Sequence, residues 1–468
     1  MTLTQQTQQL LEILGSGFPA HRLQLIWEYK DAILQWINSK EFKDKYTNHP
    51  FPPLLNPATI TWEQTDPQVA WDFNLPLPPF YKMLYLCPHG TGHGAMLTFL
   101  RTSGGGGEFS ISYNEAPKTA IEHYISHYTH LVQNRGKFNV LAFECYGLEK
   151  FGSAQDREKY FALVSERVPA LMQVRDPLEN LKHGALNWKI LLENLKDLQR
   201  NFNLTFDYHY FNKILHIRKK EYQLPTDFSY LKKQAAIWDS LVRALNPVDL
   251  VYMDMQEISK ERAFDTLQKL SLHFGFNAPQ EKDRKIYEAK HFSGNLFFLW
   301  SNAPFTLWIN HKDLESKYSK KNPNNVLTTR ENPIIDTQNS YKILFTFPEK
   351  FDGLVDIMHH FTGEIGSQVG AYMQEAEFEA LRKDLPLWEA TQEYVNEFLE
   401  YLSIESNKAQ SERITTEQVL EALAKDKVVA KNLEAVLEPE LAHIKANRPD
   451  IVESWKHYQR FIKICKEI

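Results

Sequence analysis

Residues 83–96 read Met83-Leu84-Tyr85-Leu86-Cys87-Pro88-His89-Gly90-Thr91-Gly92-His93-Gly94-Ala95-Met96, and the fold class follows from them. The first five form a short apolar run without helical period, which predicts a buried strand. Pro88 stops it, because proline has a fixed φ and no N–H to give a sheet. Gly90, Gly92 and Gly94 then let backbone N–H groups come close to an anion, and Leu97, Phe99 and Leu100 carry the chain into a helix. A strand, a glycine turn and a helix in that order predict a phosphate cradle built from Gly90, Thr91, Gly92 and Gly94. The same residues also read as a glycine-rich turn that binds nothing. A Walker loop would need Lys-Ser/Thr after its last glycine, and Ala95-Met96 stands there, which disfavours an ATPase. Gly90-x-Gly92-x-x-Ala95 satisfies a dinucleotide fingerprint formally. No second βα unit ends in a ribose-binding acid at the usual offset of about 20 residues.

Working outward, three more apolar runs follow: Asn139 to Phe143, Ala170 to Val174 and Leu250 to Met253. Helix-period segments separate them, including one read over Lys189 to Phe202. Buried runs alternating with helices predict an α/β fold, a parallel sheet with helices on both faces. Residues 1–79 read as N-terminal helices, broken at Gly15 to Pro19 and running to Tyr46, followed by an extended proline-rich connector from Asn48 to Pro79. Residues 80–291 are the α/β core. Residues 292–350 read as a β-rich insertion, with Leu296 to Trp300 and Phe305 to Ile309 as a hairpin and Tyr341 to Phe347 as a further strand. Residues 351–468 read as a helical C-terminal region. Thr415 with Gln418 forms a capping box there, and Pro449 opens a last helix carrying Ile451, Val452, Trp455, Tyr458 and Phe461.

The 468 residues predict two or three compact units. Hydrophobic residues make up 43% and charged residues 24%, the range of folded globular proteins. A net charge of -6 argues against a sequence-blind nucleic-acid binder. The N-terminal stretch lacks the basic start and long apolar run of a secretory signal, and no run of about 18 apolar residues exists to span a membrane. Cys87, Cys145 and Cys465 fit neither a disulfide framework nor a zinc ribbon, so the expected location is cytoplasmic.

Arg175 follows the Ala170 run, and Pro177 then opens a helix at its first turn. Strand ends of one polarity share a crevice in an open α/β sheet, so Arg175 is expected to face the Gly90 loop and to read a phosphate bidentately. A plain Arg175–Asp176 surface pair is the competing reading. The third segment, Leu250 to Ile258 and then Ala263, Phe264, Leu267, Leu270 and Phe274-Gly275-Phe276, says strand, amphipathic helix and glycine stop.

Taken in order, these segments resemble the sulfotransferase superfamily, whose donor is 3′-phosphoadenylyl sulfate (PAPS). Pro88-His89-Gly90-Thr91-Gly92 is similar to its Pro-Lys-x-Gly-Thr loop, Arg175-Asp176-Pro177 to its Arg-x-Pro strand end, and Asp254 to Phe276 to its last strand and helix. The likeness covers about Tyr81 to Pro279. It implies that the Gly90–Gly94 amides hold the 5′ phosphosulfate and that Arg175 holds the 3′-phosphate. His183 stands where the family has a serine for that phosphate, and His89 where it has a leaving-group lysine. The resemblance also implies a base at Glu144, which ends the Val140 strand, while His89 or His93 steadies charge on the leaving oxygen. The whole chain, including Asn447 to Trp455, resembles a bacterial family of unknown function loosely labelled sugar transferase or sulfotransferase-like. The implied activity is sulfuryl transfer to a hydroxyl acceptor such as a glycan, with no metal needed.

Two other readings stand beside it. A nucleotide-sugar glycosyltransferase would more often carry a DxD metal pair, of which Asp254-Met255-Gln256 is a broken version. An inactive anion-binding scaffold fits the two histidine replacements. His123, His127 and His130 share one helical face and suit either metal ligation or, more blandly, a solvated face. Asp207-Tyr208-His209-Tyr210 has no positional support, and aromatics near Trp300 and Trp308 suit either core or sugar stacking.

Overall fold

The computed structural model describes residues 20–103, 109–113, 119–143, 151–182, 193–216, 228, 231, 238–289, 296–300, 303–314, 339–348, 351–363 and 369–467. Three short helices come first: α1 (Ala20–Glu28), α2 (Lys30–Ile37) and α3 (Lys40–Tyr46). Helix α2 buries Ile33, Trp36 and Ile37, a stripe at helical spacing. The proline-rich stretch is not wholly extended as expected. It holds a 3-10 turn at Pro57–Thr59 and a helix at Pro67–Asp72. Each starts on a proline directly behind a capping side chain, Asn56 or Asp66, where a missing N–H is harmless.

The first sheet contains β1 (Tyr81–Leu86), β2 (Phe109–Tyr113), β3 (Phe138–Phe143), β4 (Ala170–Val174) and, after a short β5 (Asn201–Asn203) that lies elsewhere, β6 (Leu250–Asp254). Its order is β2-β3-β1-β4-β6 and every pairing is parallel. Between the strands run α4 (His93–Ser103), α5 (Ala120–Gln133), α6 (Ala154–Leu163), α7 (Pro177–Leu181) and α8 (Trp238–Leu245), and α9 (Ala263–Phe274) follows. Strand geometry sends successive side chains to opposite faces. Met83, Tyr85, Cys87, Val140, Ala142 and Leu171 therefore share a core with α4 and α9. Leu84, Leu86, Leu141, Phe143, Met172 and Val174 share the other with α5, α6, α8 and C-terminal helices. Each such burial contributes about 1.5–3 kcal/mol, so coverage of both faces rather than strand propensity holds the sheet. The alternating runs predicted this α/β architecture, and the structure has it.

A second sheet, order β5-β7-β8-β10-β9, uses β7 (Phe305–Ile309), β8 (Tyr341–Thr346), β9 (Leu354–Asp356) and β10 (Gly370–Gln374). The pair β5–β7 is parallel and the others are antiparallel. It packs on α10 (Leu385–Ser411) around Phe202, Phe345, Val395 and Phe398. Three expectations are corrected here. Leu296–Trp300 is a helix, not a hairpin strand, because Leu296, Leu299 and Trp300 are buried at the i, i+3, i+4 spacing of a helical stripe. The helix read over Lys189 to Phe202 gives way to strand β5, which lines up against Thr306 to Trp308. Strands β9 and β10 also precede the helical C-terminal part.

That part holds α11 (Thr416–Lys425), α12 (Lys427–Asn447), α13 (Pro449–Ser454) and α14 (Lys456–Lys466). The Thr415/Gln418 capping box is present. The expected single last helix is two, because Trp455 leaves helical geometry (φ -75°, ψ 88°) to reach an acceptor in the first sheet. Among the described residues no helix is long and apolar enough to cross a membrane.

Candidate functional site

Strand β1 leads through α4 to β2 on one side, whereas β4 leads to β6 on the other. Connections leaving in opposite directions open a crevice at the C-terminal ends of β1 and β4, the usual ligand position in open α/β sheets. The Gly90 loop lies at the first of these ends and Arg175 at the second.

The loop is tightly held. Pro88 O accepts from the Thr91 N–H at 3.3 Å and from the Thr91 hydroxyl at 2.6 Å. Gln173, inside β4, donates to Thr91 O at 2.8 Å and accepts from the Tyr85 hydroxyl. Gly92 O accepts from the Met96 N–H at 3.3 Å, opening α4. Gly90 and Gly92 have φ of 84° and 93°, left-handed values at which a side chain is strained. At Gly92 a Cβ would also meet Gln173, Met255 and Ile258 at 3.2–3.3 Å, so the loop rests directly on β4 and the segment after β6. His89 and His93 flank it half-buried, ring centroids 5.9 Å apart.

Arg175 does face the loop. Its Nη1 donates to Gly90 O at 3.0 Å, and its Nη2 pairs with Glu179 Oε2 at 3.2 Å. The expected partner of the bland reading, Asp176, is otherwise engaged. Asp176 caps α7 through the Leu178 N–H and accepts from the His457 and Tyr458 N–H groups of α14 at 3.1 and 3.2 Å. Burial lowers the Arg175 guanidinium, and Glu179 offsets part of that. Glu179 also meets Lys182, the Thr416 hydroxyl at 2.6 Å and His457 Nε2 at 3.2 Å. Burial alone would raise its carboxyl, but Lys182, the Thr416 hydroxyl and Arg175 outweigh it and hold it down to about 2.

Asp254 ends β6. It accepts from the Gln256 N–H at 2.8 Å and, on its other oxygen, from Trp455 Nε1 at 2.6 Å. Asp254 thus caps the 3-10 turn that follows β6 and ties it to the C-terminal helices. No group of three or more His, Cys, Asp or Glu suited to a metal is found among the described residues.

The three histidines of α5 are not on a solvated face. His123 and His127 are fully buried. His127 Nδ1 pairs with Ser112 Oγ at 2.8 Å, and His130 Nε2 with Ser110 Oγ at 2.6 Å, both serines lying on β2. Burial, with His123 and His130 nearby, lowers His127 to about 3, so it is neutral. His127 and His130 match the polar positions of this edge strand, while the His123 ring packs on Phe151 and Tyr160. Trp300 is buried in the second core, while Trp308 donates to Asn201 Oδ1 at 3.1 Å. His209 pairs with Asp207 at 2.7 Å on the surface. Glu144 and His183 lie outside the described residues. Two residues the motifs did not single out belong to the region. Gln173 is a polar residue within a buried strand, which is itself a signal. Asn180, on α7, is fully buried, and neither of its amide atoms has a hydrogen-bond partner among the described residues.

No curated protein and no solved structure matches the chain. Residues 252–468, from β6 through the C-terminal helices and without the Gly90 loop or Arg175, match the model of a family described as a protein of unknown function (DUF2972).

Proposed function

We propose that the protein is a PAPS-dependent sulfotransferase-like enzyme acting on a hydroxyl acceptor. The observation that carries the reading is the direction of the loop's peptide groups. In a trans peptide the C=O and the next N–H point in opposite directions. Thr91 O faces Gln173 and Gly92 O faces Met96 N. The Gly92 and His93 N–H groups therefore point opposite to Gln173 and to the body of α4, at the start of an eleven-residue helix whose dipole favours an anion. Arg175 supplies a permanent positive charge at the neighbouring strand end.

In this reading the loop amides hold the 5′ phosphosulfate and Arg175 meets the 3′-phosphate. The acceptor oxygen attacks sulfur while the bond from sulfur to the phosphate oxygen breaks. Glu144 takes the acceptor proton, 3′,5′-ADP leaves, and His89 or His93 steadies the charge on its oxygen. Positioning and electrostatics supply most of the rate in such transfers.

The test is affinity for 3′,5′-ADP against 5′-AMP, read by calorimetry. Wild type should prefer 3′,5′-ADP, and Arg175→Ala should lose about 1.5–3 kcal/mol of its binding. Equal affinity for the two nucleotides would remove Arg175 as a 3′-phosphate reader. One observation favours a second reading, an inactive anion-binding scaffold: Arg175 already bridges Gly90 O and Glu179, the arrangement of a structural strut. Binding of 3′,5′-ADP without turnover of PAPS on any hydroxyl acceptor would select it.

A further inference from the structure

Arg175 is the cation through which the crevice would distinguish nucleotides, so what fixes its guanidinium matters. A guanidinium is a rigid planar fork, and holding two of its edges fixes the rest. Gly90 O holds one edge and Glu179 Oε2 the other, at 3.0 and 3.2 Å. Glu179 is in turn fixed from outside the sheet. Its Oε1 accepts from Thr416 at the start of α11 and meets His457 on α14, while Oε2 also takes Lys182. Asp176, three residues earlier, is joined to the first N–H groups of α14. The helices α11 and α14 are thus built into the wall that carries the arginine.

We propose that Glu179 is a positioning residue for Arg175, set in place by Thr416 and His457 of the C-terminal helices, so that selection for a 3′-phosphate is decided partly outside the sheet. This rests on the donor reading above. The group recognised is the phosphate monoester of a nucleoside 3′,5′-bisphosphate. Glu179 itself, being acidic, acts only through the arginine.

The experiment measures the ratio of 5′-AMP to 3′,5′-ADP dissociation constants in wild type, Glu179→Gln and Thr416→Val, each with its melting temperature. Glu179→Gln should reduce the ratio at least fivefold while the 5′-AMP constant changes less than twofold. A merely structural role would weaken both ligands together. Thr416→Val keeps shape and charge but removes the hydroxyl donor, and it should reduce the ratio about threefold; it decides the matter if Glu179→Gln fails to fold. A wild type that prefers 3′,5′-ADP, with variants that keep its full preference, overturns the positioning role and leaves the donor reading intact. A wild type with no preference overturns the donor reading first.

Discussion

Replacing Gly92 with alanine tests whether the loop rests on the sheet as described. Two separate costs are expected. With φ at 93°, any Cβ is strained, which costs about 1–2 kcal/mol. The new methyl also meets Gln173 Nε2 and Met255 Cγ at 3.2 Å and Ile258 Cδ1 at 3.3 Å. Gln173 cannot yield without weakening its bond to Thr91 O, so the crowding should cost about a further 1–3 kcal/mol, the usual scale of overpacking. Gly136 provides the control. It has the same φ of 93°, and a Cβ there meets nothing within 4 Å, so Gly136→Ala isolates the backbone cost. Urea unfolding followed by tryptophan fluorescence should place Gly92→Ala below Gly136→Ala by that second cost. Equal losses in the two variants would refute the close approach, and with it the claim that the loop is braced from below.

Acid stability should report His127. The unfolded chain takes up a proton near the ordinary histidine value of about 6.5, whereas the folded protein refuses it until about pH 3, so this site's stabilisation is complete above the first value and lost as pH falls to the second. Unfolding free energy should fall by about 1.4 kcal/mol per pH unit on its account, and His127→Gln should flatten the acid limb by up to that slope; an unchanged limb would refute a neutral buried His127. Trp455→Phe should cost about 1–3 kcal/mol, since it leaves a buried Asp254 oxygen without its donor. A double-mutant cycle with Asp254→Ala should give a combined loss well below the sum of the two.

Four of the five strands of the first sheet were legible because they are continuous apolar runs covered on both faces. Strand β2 was not, because Phe109–Tyr113 alternates and places Ser110 and Ser112 where an apolar residue would have announced burial. Those serines are matched by His127 and His130, a pairing between elements that no single-segment pattern carries. The same reason hid Glu179, whose partners Thr416 and His457 lie far along the chain. Leu296–Trp300 misled because five apolar residues suit a strand or a helix equally, and only its neighbours chose. The nearness of Arg175 to the Gly90 loop was legible, since strand polarity alone brings those two ends together.

The bonds from Asp176 to α14 have a consequence for synthesis. Tyr458, which donates to that carboxylate, is made 282 residues after it. At about 5–20 residues per second, Asp176 waits some 15–60 s for its partner to be polymerised. Until α12 and Trp455 are made, the face of α8 and β6 that they will cover, with Trp238 and Tyr252 on it, stands bare. Every nascent copy therefore carries a sticky half-core on the ribosome, and the yield of native protein should depend on holdase chaperones and on translation speed over residues 250–450 more than on the stability of the finished molecule.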